Sequence, residues 1–133
     1  MDSISQFLMG SAMGQLVLGP KHQGKGALIG GVAGTLPDLD VIPLMNTSVI
    51  HQLIHHRGIT HSIMFCILAP PLFTWLSKRF FRWNISFNRW TLFWFLAFIT
   101  HTLLDVMTTW GTQIFWPHSA KVALNSLFII DPL

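Results

Sequence analysis

The stretch IHHRGITHS, residues 54–62, places three histidines and an arginine directly before an apolar run. Neutral imidazole is a common ligand of Zn²⁺ and other transition metals, and carboxylates complete such sites. Two further motifs supply carboxylates: PDLD contains Asp38 and Asp40, and HTLLD places His101 and Asp105 at i and i+4, on one helix face. We predict a divalent-metal site, with Zn²⁺ as the expected ion. Its predicted ligands are Asp38, Asp40, His56, His61, His101 and Asp105.

Each motif also has a purely structural interpretation. The carboxylate of HTLLD can simply hold a buried imidazole by a hydrogen bond, and the PDLD carboxylates can close a turn after the proline. The histidine-rich stretch can be a solvated loop at a membrane interface, which we expect for His51 and His55. However, an ionisable pair inside an apolar helix is costly and indicates a functional site.

Composition places these polar groups in unusual surroundings. The chain has 133 residues, of which 51% are hydrophobic and only 10% are charged, with six Trp and eleven Phe. A soluble domain has about 25% charged residues. We therefore predict an all-α integral membrane bundle of about four membrane-embedded helices, forming a single domain over residues 1–133. The net charge of +3 does not indicate nucleic-acid binding, because Lys and Arg are scattered through the connecting segments.

Four apolar segments are expected to form these helices. Only the fourth reaches the length of about 20 residues needed to cross the hydrocarbon unaided. Glycines repeat every four residues in the first two segments, which predicts two helices in close backbone contact. The segments are approximately Ser5–Leu18, Gly26–Pro37, Ile59–Leu76 and Thr91–Trp110, and the glycines are Gly10, Gly14, Gly26, Gly30 and Gly34.

The distribution of basic residues predicts how the bundle is oriented. Six of the eight Lys and Arg lie in two links, one between the first and second segments and one between the third and fourth. Basic links remain on the cytoplasmic side of a membrane. The N-terminus, the 37–58 loop and the residues after Trp110 should then face outward, which brings all the predicted ligands to one face. The six residues are Lys21, Lys25, Lys78, Arg79, Arg82 and Arg89.

Five stretches together resemble the bacterial membrane-bound metal-dependent hydrolase family, which is described as LexA-regulated. These stretches are MDSISQFLMG, GTLPDLD, HHRGITHS, HTLLDVMTTWGTQIFWP and VALNSLFIIDPL. The family is in turn distantly similar to the all-helical zinc phospholipases C and zinc nucleases, which cleave phosphoesters. The resemblance implies a protein of the bacterial inner membrane whose outward-facing site hydrolyses a phosphoester, either lipid-like or of another kind.

The resemblance also implies roles for individual residues. His101 and Asp105 match the shared His-x-x-x-Asp element, while His61, Asp38 and His56 match further ligands. Many relatives have histidine at the position of Gln6, and glutamine is a poorer ligand. The expected catalytic residues are Asp38, Asp40 and Arg57.

In the expected mechanism, a carboxylate accepts a proton from an activated water. Arg57 holds an anionic oxygen of the substrate or, alternatively, anchors the chain to lipid phosphate. Relatives continue beyond IIDPL, so the chain is expected to be a truncated form, a short member or a fragment.

Two other classes of protein remain open. A membrane transporter or ion pathway would use the same Asp and His groups, although such groups usually lie near the bilayer midplane. The other class is a non-catalytic packing or haem-anchoring protein; bis-histidine haem would need two imidazoles facing each other across the bundle, and only His101 lies well inside a predicted span. The expected partners are the lipid bilayer and a phosphoester or lipid substrate, and the oligomeric state is left open.

Overall fold

The computed structural model describes residues 3–19, 22–39, 58–109, 111–118 and 120–126. The described residues form four α-helices, each overlapping one predicted segment with shifted ends, and a short 3-10 helix, Ile59–His61, precedes the third. The described ranges contain no β-strand, only an isolated antiparallel bridge between Thr112 and Val122. The predicted all-helical fold is therefore confirmed. The helices are α1 (Ser3–Leu18), α2 (Gln23–Thr35), α3 (Ile63–Phe80) and α4 (Phe87–Val106).

The glycine spacing brings α1 and α2 into direct backbone contact, as the sequence predicts. A Cβ atom placed on Gly10 would overlap the carbonyl oxygen of Gly30 and lie 3.0 Å from Cα of Gly34. A Cβ atom on Gly14 would overlap the carbonyl oxygen of Gly26 in the same way. Only hydrogen can occupy these positions while the helices stay at this separation, so the small residues determine how closely the two helices pack.

Helix α4 is the central element, since it packs against α1, α2 and α3. Its inward face carries large aromatic residues, including the fully buried Trp90, Phe93 and Phe98. The indole N–H of Trp94 donates a hydrogen bond of 2.9 Å to Ser77 Oγ on α3. The bond satisfies a polar group that would be costly to bury alone, and it helps to align α3 with α4.

Two serines define where α3 and α4 begin. The Ser62 hydroxyl accepts a hydrogen bond from the backbone N–H of Phe65, and the Ser86 hydroxyl accepts one from Arg89 N–H. Such caps satisfy N–H groups that have no partner within the helix. Because Ser62 caps α3, residues Ile59–His61 form a separate 3-10 turn and not the first turn of the α-helix. The third helix therefore begins four residues later than the predicted segment.

Among the described residues, no helix is both long enough and apolar enough to cross a membrane. This finding differs from the crossing expected for the fourth segment.

Candidate metal centre

Four side chains from three separate elements converge at one end of the bundle. Asp38 lies in the 3-10 turn that follows α2, His61 ends the 3-10 helix before α3, and His101 and Asp105 lie on consecutive turns of α4. Each offers one nitrogen or oxygen atom, and these atoms all lie within 4.8 Å of one another. His61, His101 and Asp105 are at most 1% exposed, whereas Asp38 is 25% exposed. Solvent therefore reaches this cluster beside Asp38.

Five of the six distances between the four donor atoms are close to those around a single metal ion. A tetrahedral Zn²⁺ site with bonds of about 2.0 Å has ligand–ligand edges of about 3.3 Å. The edges from His61 Nε2 are 3.0 Å to His101 Nε2, 3.0 Å to Asp105 Oδ2 and 3.4 Å to Asp38 Oδ1. Those from His101 Nε2 are 3.4 Å to Asp38 Oδ1 and 3.5 Å to Asp105 Oδ2. The residues present therefore fit a divalent cation.

Hydrogen bonds on the far side of each imidazole orient it toward the cluster. His101 Nδ1 lies 2.6 Å from the carbonyl oxygen of Gly34, which can only accept, so this nitrogen carries the proton. In neutral His101 the lone pair is then on Nε2, the atom that faces the other ligands. His61 Nδ1 lies 2.9 Å from Thr60 Oγ1, which supports the same orientation of the second ring. Such outer contacts raise the basicity of the ligand and hold its direction.

The environment of Asp38 keeps its carboxyl group ionised. Burial alone would raise the pKa of this carboxyl, but when no cation is bound the hydrogen bonds that His101 and His61 donate through their Nε2 atoms outweigh that effect. The net result is a pKa well below the ordinary range for aspartate. Asp38 is therefore an anion at neutral pH, as a metal ligand or a proton acceptor must be.

Gln6 is a component of this site that was left out of the predicted ligand set. Its side chain is 1% exposed, and its Nε2 donates a hydrogen bond of 3.2 Å to Asp105 Oδ1. This contact leaves Asp105 Oδ2 directed at His61. Helix α1 therefore supports the metal ligands of α4. The local sequence contains no signal for this role beyond an amide in an apolar segment.

Removing the hydroxyl of Thr60 should weaken metal binding without removing any ligand. We expect Thr60→Val to lower the affinity for Zn²⁺ by about 10- to 100-fold, the usual effect of losing an outer hydrogen bond. Competition with a chromophoric chelator measures this affinity. Thr100→Val is the matched control, because among the described residues that hydroxyl donates to the Leu96 and Ala97 carbonyls of its own helix and not to the cluster. Equal affinities of the two variants would contradict the role of Thr60.

The structure brings together four of the six predicted ligands: Asp38, His61, His101 and Asp105. The other two, together with the predicted catalytic arginine, fall outside the described residues and stay predictions. The resemblance pointed to the position of Gln6 without a role for its amide, and sequence reasoning missed the hydrogen bond from Thr60 to His61; both roles depend on contacts that appear only when the chain folds. The predicted residues outside the described ranges are Asp40, His56 and Arg57.

Comparison with known proteins identifies the family of this chain. The chain is 31% identical over 108 residues to the inner membrane protein YbcI of Escherichia coli (strain K12), covering 81% of this chain and 59% of YbcI. It is 30% identical over 141 aligned positions to YfhP of Bacillus subtilis (strain 168), covering 99% of this chain and 42% of YfhP. The chain thus spans about half the length of these relatives, and no solved structure matches it. A sequence model of the YdjM inner membrane proteins matches residues 1–133, and the chain accordingly belongs to the YdjM inner membrane protein family.

Proposed function

We propose that the protein is a metal-dependent hydrolase of the bacterial inner membrane that uses Zn²⁺ to cleave a phosphoester. The observation that carries this proposal is the set of four converging donor atoms, three of them on buried side chains. Nitrogen and oxygen lone pairs packed this closely repel one another unless a proton or a cation lies between them. Two histidines and a carboxylate are also a ligand set that catalytic zinc sites use.

The exposure of the four side chains suggests a division of roles. His61, His101 and Asp105 are buried and would hold the ion. Asp38 is the member that solvent reaches, so it would complete the ligand set or accept a proton from the attacking water. When bound, Zn²⁺ supplies the Lewis acid, which lowers the pKa of a water from about 15.7 to about 7.

Three arguments support a phosphoester as the substrate. The motifs resemble a membrane-bound hydrolase family that is distantly similar to zinc phospholipases C and zinc nucleases. The family to which the chain belongs is named for the inner membrane, where phospholipid headgroups are abundant. The basic links favour an orientation with the cluster facing outward, at the level where a headgroup or another phosphoester arrives. In this proposal Arg57 contributes its guanidinium to an anionic oxygen of the substrate.

The test is hydrolysis by purified full-length chain in detergent, with and without added Zn²⁺. The substrates are a chromogenic phosphomonoester, a chromogenic phosphodiester and phosphatidylcholine in mixed micelles. We expect zinc-dependent release of product from at least one of them. Loss of metal-assisted catalysis is worth several kcal/mol, so His61→Ala should lower the rate by about 1,000-fold or more.

The control for this experiment is His118→Ala, which removes an exposed imidazole that lies outside the cluster. This variant should keep the wild-type rate. A zinc-loaded wild type no faster than zinc in buffer would overturn the hydrolase proposal. Zinc or proton flux into proteoliposomes without hydrolysis would favour the transporter class in its place.

A further inference from the structure

The charged side chains of the described residues are sorted to opposite ends of the bundle. Both described carboxylates, Asp38 and Asp105, belong to the metal cluster. Five of the six described Lys and Arg residues lie on the helix ends and the connection at the opposite end. Arg89 and Asp105 are sixteen positions apart on α4, which corresponds to about 24 Å along the helix. We call the five residues the cationic end: Lys25, Lys78, Arg79, Arg82 and Arg89.

Contacts between the two helix pairs hold the cationic end together. The His22 ring, at the start of α2, stacks flat on the Trp83 ring between α3 and α4, with centroids 4.2 Å apart and an interplanar angle of 7°. The Arg89 side chain donates to the carbonyl oxygen of Val17, near the C-terminus of α1. A cation at this position is favourable, because the last carbonyls of a helix carry partial negative charge. Arg89 is thus engaged in holding the helices.

Three of the remaining cations are exposed and can therefore contact another molecule. Lys78, Arg79 and Arg82 are all exposed, and none of them forms a salt bridge with a described carboxylate. They extend from the C-terminal turn of α3 into the connection that follows it. Three adjacent cations without acidic neighbours create a positive surface that attracts anions.

Large aromatic side chains near these cations in the sequence are also exposed. Phe80 is 77% exposed, Trp75 is 61% exposed and Phe87 is 45% exposed. Lys and Arg together with exposed aromatic rings are typical of residues at the level of lipid headgroups. A nucleic-acid duplex, whose bases are already stacked, would leave the apolar part of this surface in water. Apolar and cationic groups on one surface fit a partner that is itself part apolar and part anionic.

We propose that the cationic end binds the headgroups of anionic phospholipids, with Lys78, Arg79 and Arg82 contacting the phosphates and the aromatic rings lying among the upper acyl chains. This interaction is independent of the metal cluster and of any hydrolysis there. It would seat the bundle with the cationic end on the anionic leaflet and Asp38 at the opposite end. A Lys or Arg near an anionic membrane surface strengthens binding about fivefold.

The test uses the full chain in neutral detergent and measures its affinity for two lipids by fluorescence anisotropy. One is phosphatidylglycerol and the other phosphatidylcholine, both labelled on the acyl chain so that only the headgroup differs. We expect phosphatidylglycerol to bind at least about fivefold more tightly, the gain for one cation near an anionic lipid surface. Added salt should reduce this preference, because it screens exposed charges.

The decisive variant carries Lys78→Gln, Arg79→Gln and Arg82→Gln, and it should bind both lipids equally. Lys121→Gln is the matched control, since it removes a cation beyond the C-terminus of α4 and should keep the preference. Because all four positions are exposed, these variants should keep the fold, and their helical circular dichroism checks that they do. Equal binding of both lipids by the wild type, or an unchanged preference in the triple variant, would overturn the proposal. Displacement of phosphatidylglycerol by a single-stranded RNA at equal charge would also overturn it, in favour of a nucleic-acid surface.

Discussion

Asp105→Asn is expected to lower the affinity for Zn²⁺ by more than about 100-fold, because even the loss of an outer contact costs 10- to 100-fold. Asp105 is completely buried, and its Oδ2 lies 3.0 Å from His61 Nε2. Asparagine preserves the volume of the side chain and removes its charge, so the effect reports on ligation and not on packing. His101→Ala should have a comparable effect. Wild-type protein equilibrated with zinc should retain about one zinc ion per chain for the cluster described above. Elemental analysis after dialysis measures this content.

Two readouts separate a lost ligand from a lost fold. Zn²⁺ at about 1,000 times the wild-type dissociation constant should stabilise wild-type protein by about 4 kcal/mol, and at the same zinc concentration this gain should fall to about 1.4 kcal/mol or less in Asp105→Asn. His118→Ala removes an exposed imidazole outside the cluster and should leave both metal content and the zinc-induced rise in Tm unchanged. Wild-type protein without bound metal after zinc is supplied, or full metal content in Asp105→Asn, would remove the chemical basis of the site.

Gly30→Ala should destabilise the protein by about 3 kcal/mol, at the upper end of the cost of overpacking a tight contact. The added Cβ atom would overlap the carbonyl oxygen of Gly10 and lie 2.9 Å from Cα of Gly14. Both groups are backbone, so neither can move aside unless α1 and α2 separate. Chemical unfolding in detergent, followed by helical circular dichroism, measures the change in the free energy of unfolding.

A substitution elsewhere on α2 provides a control, because it should raise the free energy of unfolding. Gly24 also lies on α2, but a Cβ atom there would meet nothing within 4 Å. Gly24→Ala should therefore stabilise the protein by about 0.5–1 kcal/mol, since alanine loses less backbone entropy in a helix. If Gly30→Ala proved as stable as Gly24→Ala, close packing of the glycines would not be what holds α1 against α2. Gly30→Ala should also weaken zinc binding, because Gly34 on the same helix accepts the hydrogen bond of His101.

Features with a short-range signature could be predicted from the sequence. The glycines every four residues predicted the α1–α2 contact, because this spacing produces a smooth strip on any helix. The i, i+4 spacing of His101 and Asp105 likewise predicted that both would face one side of α4. Their convergence with Asp38 and His61 followed from assigning all four to the same end of a bundle.

Features that depend on tertiary contacts could not be predicted in this way. The resemblance pointed to the position of Gln6, but the hydrogen bond that its amide donates to Asp105 joins residues 99 positions apart and has no local signal. The proton on His101 Nδ1 is determined by a backbone carbonyl at the end of α2, and every residue type has such a carbonyl. The 3-10 turn before α3 was also missed, because the serine that ends it equally suits the first turn of a longer helix.

The unequal exposure of the four donors has a consequence for how quickly an ion is exchanged. Among the described residues, three of these donors are closed off by packed helices, so a chelator would reach a bound ion from the side of Asp38, which is 25% exposed. Extraction would then begin by displacing this carboxylate, and His61, His101 and Asp105 would release the ion afterwards. The lifetime of the loaded state would therefore be controlled kinetically at one residue, whereas the equilibrium affinity would be shared among all four.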